Sequence, residues 1–177
     1  MQNEADFKKI FCKSIKNDKG FTMKLAAPMF GGIPDLYCIY PGYMPVLLEA
    51  KWLGDLVEQF SRKIPLSALQ LHWLEETNKV QSHSSFGLIG FTHGPLTYAV
   101  LTDHDITQID HTFKRRWPYC IYNPATKFFD VRSLFKCSHI PVMNLQPIRN
   151  WTSALRHGIV DVLTEQEQLA GLKDRDV

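Results

Sequence analysis

The stretch GGIPDLYCIYPGYMPVLLEAKW, residues 31–52, constrains this 177-residue chain more than any other. Its two apolar runs, 35–40 and 46–51, flank Pro41-Gly42-Tyr43 and read as an antiparallel hairpin. Yet Asp35, Glu49 and Lys51 sit inside those runs, and charged groups are costly to hold in a packed sheet. Reflection about Gly42 places Asp35 opposite Glu49, within a residue or two of register. Directly opposed Cβ atoms lie only ~4.5–5.5 Å apart. Glu49 and Lys51 are two positions apart and share one face of their strand. Two carboxylates and an ammonium group therefore gather at one end of the hairpin.

Carboxylates that close repel one another unless positive charge stands between them. Lys51 can supply it alone. A divalent metal with hard oxygen ligands does so better, and Mg²⁺ typically takes one or two carboxylates with waters and a substrate phosphate. The Ala50 carbonyl, between the two charged residues, is a natural further ligand. Lys51 is then left to orient or deprotonate a water, or to hold the phosphate. Such a set suits phosphodiester hydrolysis. The simpler alternatives are a turn-capping aspartate after Pro34 and an exposed Glu49–Lys51 ion pair.

Around the hairpin, Phe7, Ile10, Phe11 and Ile15 recur at helical spacing and predict a helix over 4–16, closed by Asn17-Asp18-Lys19-Gly20. FTMKLAAP, with Lys24, reads as a strand entering the site. LGDLVEQFSRKI has helical character without sharp boundaries. PLSALQLHWLEETNKV is a clearer helix, with Leu66, Leu69, Trp73 and Leu74 on one face. FGLIGF and LTYAVLTD follow as strands. This order predicts an α/β or α+β fold, a mixed central sheet flanked by helices. Beyond Asp103 the pattern weakens to a hairpin of YCIY and FFDV around NPATK, and a helix over NWTSALRHGIVDVL.

The Pro34-Asp35 … Glu49-Ala50-Lys51 series resembles the PD-(D/E)xK nuclease superfamily. GGIPDLY resembles the Gly-x-Pro-Asp-apolar form of its virus-type replication-repair and Holliday-junction-resolvase-like phage branches, and LSALQLHWL resembles their Ser/Thr-x-x-Gln-x-x-Trp helix. The resemblance covers about residues 4–102 and implies a restriction-endonuclease-like αβββαβ core. It implies a catalytic set of Asp35, Glu49, Lys51, Gln70 and Glu4. Asp35, Glu49 and the Ala50 carbonyl would hold Mg²⁺ or Mn²⁺, with Glu4 (or Asp6, if the helix starts later) completing or orienting the shell. Gln70 would lie beside the site, although with Ser67 it also makes a Ser-x-x-Gln capping box that requires no active site. Glu4 is equally a plain first-turn helix acid, and Lys24 equally a solvated strand lysine or a phosphate contact. The implied activity is a metal-dependent DNA nuclease in replication, recombination or genome processing. Its alternative is a non-catalytic nucleic-acid-binding or assembly protein that retains the fold.

Composition bounds the rest. A hydrophobic fraction of 45% and a charged fraction of 21% exclude wholesale disorder. Net charge is only +2, but its distribution is uneven. Eight basic residues lie between Lys114 and Arg156 against one acid, Asp130, and an acidic tail follows. That pattern fits contact with a polyanion along part of the surface, or a solvated basic face. Lys114, Arg115, Arg116 and Arg132, with Trp117 interleaved, are the candidate phosphate and base contacts. The sequence divides into a core at 1–102 and a basic extension at 103–177 that binds DNA, dimerises or packs on the core. One cut site per chain implies a homodimer wherever two symmetric cuts are made. Cys12, Cys38, Cys120 and Cys137 form no CxxC pair and read as reduced core thiols. With no apolar run near membrane-spanning length, the expected location is the cytoplasm of a bacterium or an infected host cell, with duplex or branched DNA as partner and no membrane.

Overall fold

The computed structural model describes residues 1, 3–25, 32–56, 61–103, 106–138 and 140–142. The helical stripe near the N-terminus forms α1 (Glu4–Asn17), whose first turn is capped by the Asn3 side chain accepting the Asp6 N–H at 2.9 Å. α1 buries Phe7, Phe11, Cys12, Ser14 and Ile15. Ser14 is the polar member of that face. Its hydroxyl donates to the Ile10 carbonyl and accepts the Phe129 N–H, each at 2.9 Å, so the helix is tied to a strand more than a hundred residues away.

After α1 come β1 (Phe21–Lys24), β2 (Leu36–Ile39), β3 (Val46–Asp55), β4 (Arg62–Lys63) and α2 (Ala68–Val80). They are followed by β5 (Ser85–His93), β6 (Leu96–Thr102), β7 (Gln108–Ile109), β8 (Tyr119–Asn123), β9 (Phe128–Phe129) and α3 (Val131–Cys137). Seven strands make one sheet in the order β1-β2-β3-β5-β6-β8-β9, and β4 pairs with β7 in a small second sheet. Only the β3–β5 pairing in the large sheet is parallel. A parallel neighbour needs a crossover, and α2 lies within it.

Each face of the sheet carries its own core. Leu36, Cys38, Leu48, Ala50, Leu88, Ala99 and Leu101 meet α1 and α3 on one side. Ile89, Phe91, Tyr98 and Val100 meet Leu56, Ile64, Ile109 and Phe113 on the other. The first face has a low row. Gly90, Ala99 and Cys120 stand side by side across three strands, and a Cβ on Gly90 would come within 2.7 Å of the Phe7 ring. Small residues there let α1 lie down on the sheet.

Several sequence expectations change in the structure. β3 runs on through Leu53, Gly54 and Asp55 against the expected helical character, because pairing with β5 resumes at Asp55–Thr92 after an irregularity between Trp52 and Asp55. α2 forms, but its apolar face is not a core face. Leu74 is buried, while Leu69 and Trp73 remain 47% and 37% exposed. The helix is fastened by polar contacts instead. Asn78 Oδ1 accepts the Ser84 and Ser85 N–H groups, and the buried Ser85 hydroxyl donates to the Leu74 carbonyl. The YCIY–FFDV hairpin forms as β8 and β9, with Val131 starting α3. β8 joins β6, and one compact unit runs from Met1 to Val142. The helix expected over 150–163 lies outside the described residues.

Candidate active site

The hairpin register places the site. β2 and β3 pair Leu36 with Leu48, Tyr37 with Leu47 and Cys38 with Val46, the register that reflection about Gly42 requires. Gly42 turns the chain at φ 85°, a backbone conformation open to glycine. One step further along that register, Asp35 falls opposite Glu49. Asp35 Oδ2 accepts the Ala50 N–H at 3.1 Å, and the Asp35 carbonyl accepts the Leu25 N–H at 2.8 Å. The aspartate is thus pinned between β1 and the Glu-Ala-Lys strand rather than capping a turn.

Glu49 is 2% exposed. Its Oε1 takes the Lys51 ammonium at 2.9 Å and a short hydrogen bond from Gln70 Nε2. Gln70 reaches it from the first turn of α2 while its other amide atom, Oε1, accepts the Ser67 N–H at 2.9 Å. The Ser67 hydroxyl in turn accepts the Gln70 N–H, so the capping box is complete. One Gln70 side chain therefore both caps α2 and touches Glu49. Burial pushes the Glu49 carboxyl above the ordinary range. The Lys51 hydrogen bond opposes that shift, and the charges of Asp35 and Glu4 add to it.

A residue that sequence reasoning passed over completes the cluster. Lys8 Nζ lies 3.0 Å from Glu4 Oε1 and 3.0 Å from Asp35 Oδ1. Burial disfavours its charge, but the hydrogen bonds and charges of Asp35 and Glu4 prevail and raise its pKa. Its only sequence signal is the i,i+4 spacing from Glu4, which says nothing about Asp35. Glu4 reaches the cluster through Lys8, whereas Asp6 gives its backbone N–H to the helix cap.

The other candidates lie elsewhere. Lys24 is exposed at the end of β1, opposite Leu36 and one position from Asp35 along the ladder. Lys114, Arg115 and Arg116 lie on a short 3-10 turn, Phe113–Arg115, and the residue after it, leading into β8 with Trp117. Arg132 does not join them. It is on α3 and hydrogen-bonds the Tyr40 hydroxyl, beside Asp18. Among the described residues, no three His, Cys, Asp or Glu side chains are grouped closely enough to hold a metal ion. Cys12, Cys38 and Cys120 are buried free thiols. No helix among the described residues is long and apolar enough to cross a membrane.

Fold and cluster together define an α/β protein with a mixed sheet and a buried acid–lysine centre at the end of its second hairpin. No protein-family model and no curated protein matches the sequence. Among solved structures, the chain is similar to Hjc, a Holliday junction resolvase from the archaeal hyperthermophile Archaeoglobus fulgidus, over 64% of this chain and 93% of that one, with 9% identity and a TM-score of 0.42. At those values nothing about chemistry passes from that protein to this one.

Proposed function

We propose that this chain is a metal-dependent nuclease that hydrolyses phosphodiester bonds in DNA, with its catalytic centre at Asp35, Glu49 and Lys51. One observation carries the reading. Asp35 is hydrogen-bonded to the peptide N–H between Glu49 and Lys51, so all three functional groups are set about one peptide unit.

The donor set suits a hard divalent cation. It offers two carboxylates and a nearby backbone carbonyl, all oxygen, and Glu49 is pushed toward its neutral form partly by neighbouring negative charge. Asp35, Glu49 and the Ala50 carbonyl would hold Mg²⁺ or Mn²⁺, and Glu4 would act on the shell only through Lys8, which it shares with Asp35. Bound there, the ion would lower the pKa of water and offset phosphate charge. The protein's own groups do the rest. Lys51 orients the attacking water or holds the scissile phosphate. Gln70 fixes the Glu49 carboxylate from the rigid first turn of α2. Lys24 and the basic 114–117 segment contact backbone phosphates. A structure-selective endonuclease role in recombination or genome processing, acting as a homodimer where paired cuts are made, follows as the finer form of this reading.

A second reading has its own support. Lys8, Lys51 and Gln70 already satisfy the acids, and among the described residues no buried side-chain nitrogen or oxygen lacks a hydrogen bond. Such a closed polar cluster suits a nucleic-acid-binding or assembly protein without catalysis. The two part in one experiment: labelled duplex, single-stranded, flap and four-way-junction DNA with Mg²⁺, Mn²⁺ or EDTA, beside Lys51→Ala. Metal-dependent cleavage lost in the variant establishes the nuclease. Binding without cleavage in either metal establishes the alternative.

A further inference from the structure

Across the strands from Lys51, at the edge of β8 where residues of both sheet faces meet, lies a second built feature. Lys51 pairs with Ile89, Ile89 with Val100, and Val100 with Tyr119. Three inter-strand steps separate Lys51 from Tyr119, about 14 Å at the usual strand spacing. There a cavity of about 550 Å³ opens, lined by Arg115, Arg116, Trp117, Tyr119, Asp130 and Ser133 among others.

Its chemistry is mixed in an informative way. The Arg116 guanidinium lies over the Trp117 ring, 5.6 Å from its centroid, while Arg115 is exposed. Lys114 also lines the cavity, with its ammonium over the Tyr98 ring 4.9 Å from the centroid. Asp130 accepts from the Ser133 hydroxyl at 2.5 Å and is the cavity's acid. A site for bare phosphate gains nothing from a carboxylate or a half-buried indole. A ligand with an anionic group, a flat ring and an amino edge uses all three. The volume lies within the ordinary range for small-ligand sites, about 300–1,000 Å³.

We propose that this cavity binds one nucleoside phosphate unit, an unpaired nucleotide of a nucleic-acid strand, with the base against Trp117, its amino edge toward Asp130, and phosphate on Arg115 and Arg116. Stacking of this kind is sequence-tolerant because every base has a π-face. This assignment rests on the nucleic-acid reading above and adds to it a preference for substrates with an unpaired base. Set about 14 Å from Lys51, roughly four base steps along a duplex axis, the cavity would hold the unpaired nucleotide at a fixed distance from the cut.

The test is binding by the full chain in EDTA, so that cleavage plays no part. Fluorescein-labelled blunt duplex, the same duplex with a one-nucleotide overhang, and adenosine monophosphate as competitor would be titrated against wild type, Trp117→Leu and Asp130→Asn, with circular dichroism to confirm folding. We expect wild type to bind the overhang at least about fivefold more tightly than the blunt duplex. Trp117→Leu removes that preference, bringing overhang affinity down to that for the blunt duplex. If adenosine monophosphate binds wild type while strands show no preference, the strand assignment is overturned in favour of a free-nucleotide site. Equal affinity for blunt and overhang DNA with no effect of the monophosphate, or a uniform loss in the variants, would overturn the assignment and leave a basic face. Cleavage assays on the same proteins fail or succeed independently: loss of the preference with cleavage intact removes the cavity, not the nuclease.

Discussion

Lys8 Nζ bridges Glu4 and Asp35 at 3.0 Å each, so a lysine on the first helix fixes the aspartate that begins the second strand. Both members of the Lys8–Asp35 pair are largely screened from solvent, with 20% and 28% of their side chains exposed. Replacing Lys8 by Met leaves two facing acids without a cation, which should destabilise the fold by about 1–3 kcal/mol. Because the folded-state pKa of Lys8 is raised, its contribution is complete below the unfolded value of 10.5 and lost as pH rises through the higher folded one. Urea denaturation at pH 7 should therefore show the full deficit, and the gap between wild type and variant should narrow only at strongly alkaline pH. A gap already absent at pH 7 refutes the bridge.

That bridge also marks the limit of what the sequence discloses. The Asp35–Glu49 register is legible because Gly42 and the turn around it fix the hairpin, and alternation fixes which residues share a face. Gln70 is legible because Ser67 and Gln70 form a capping box at known spacing. Lys8 is one of two adjacent lysines on an amphipathic helix, and its partner is brought near only by packing of Phe7 and Phe11 on the sheet. α2 misleads for the opposite reason: Leu69 and Trp73 have core spacing, yet Asn78 and Ser85 do the docking and leave that face half open. Charge alone groups Arg132 with Lys114–Arg116, and only α3 shows it beside Tyr40.

Glu49 should make the protein less stable as pH rises. Burial, aided by Asp35 and Glu4, raises its folded pKa above the unfolded 4.5 despite Lys51. The folded state then holds its proton more firmly, and stability is lost as pH climbs from 4.5 through the folded value. Glu49→Gln keeps an oxygen for Lys51 and Gln70 without the charge. It should match wild type near pH 4 and be the more stable of the two at pH 7. An equal difference at both pH values would mean that the charge is not the cause.

If Asp35 and Glu49 hold a divalent ion, the ion should stabilise the fold by mass action. At a hundredfold excess over Kd that is about 2.7 kcal/mol. Thermal unfolding with Mn²⁺ should shift upward for wild type, and not for Asp35→Asn or Glu49→Gln. A shift of equal size in all three proteins would place the ion elsewhere. Lys8→Met tells whether that lysine and the ion compete: competition predicts a larger shift than in wild type.

Ser67 and Gln70 separate capping from catalysis. Ser67→Ala removes the N-cap acceptor of α2 and should cost about 1 kcal/mol, with cleavage retained because Gln70 Nε2 still reaches Glu49. Gln70→Ala removes both contacts. It should cost similar stability and also lower the cleavage rate by tenfold or more, since roughly 1.4 kcal/mol of lost transition-state stabilisation corresponds to a factor of ten. Equal rates for the two variants would reduce Gln70 to a helix cap.

Gly90 connects the packing of α1 to the site. A Cβ there would stand 2.7 Å from two atoms of the Phe7 ring, well inside contact distance. The ring cannot simply turn aside, because Phe11, Trp52 and Phe129 surround it with centroids at 6.3, 5.7 and 5.8 Å. Gly90→Ala must then lift α1, and overpacking of this kind costs about 1–3 kcal/mol. Lys8 follows Phe7 directly, so a lifted helix also draws its ammonium away from Asp35. The double variant Phe7→Leu/Gly90→Ala gives room back to the new methyl group, and the two changes should be less than additive by at least about 0.5 kcal/mol. Additive losses would mean that the ring and the glycine do not set the height of the helix, and that Lys8 is held in place by its ion pairs alone.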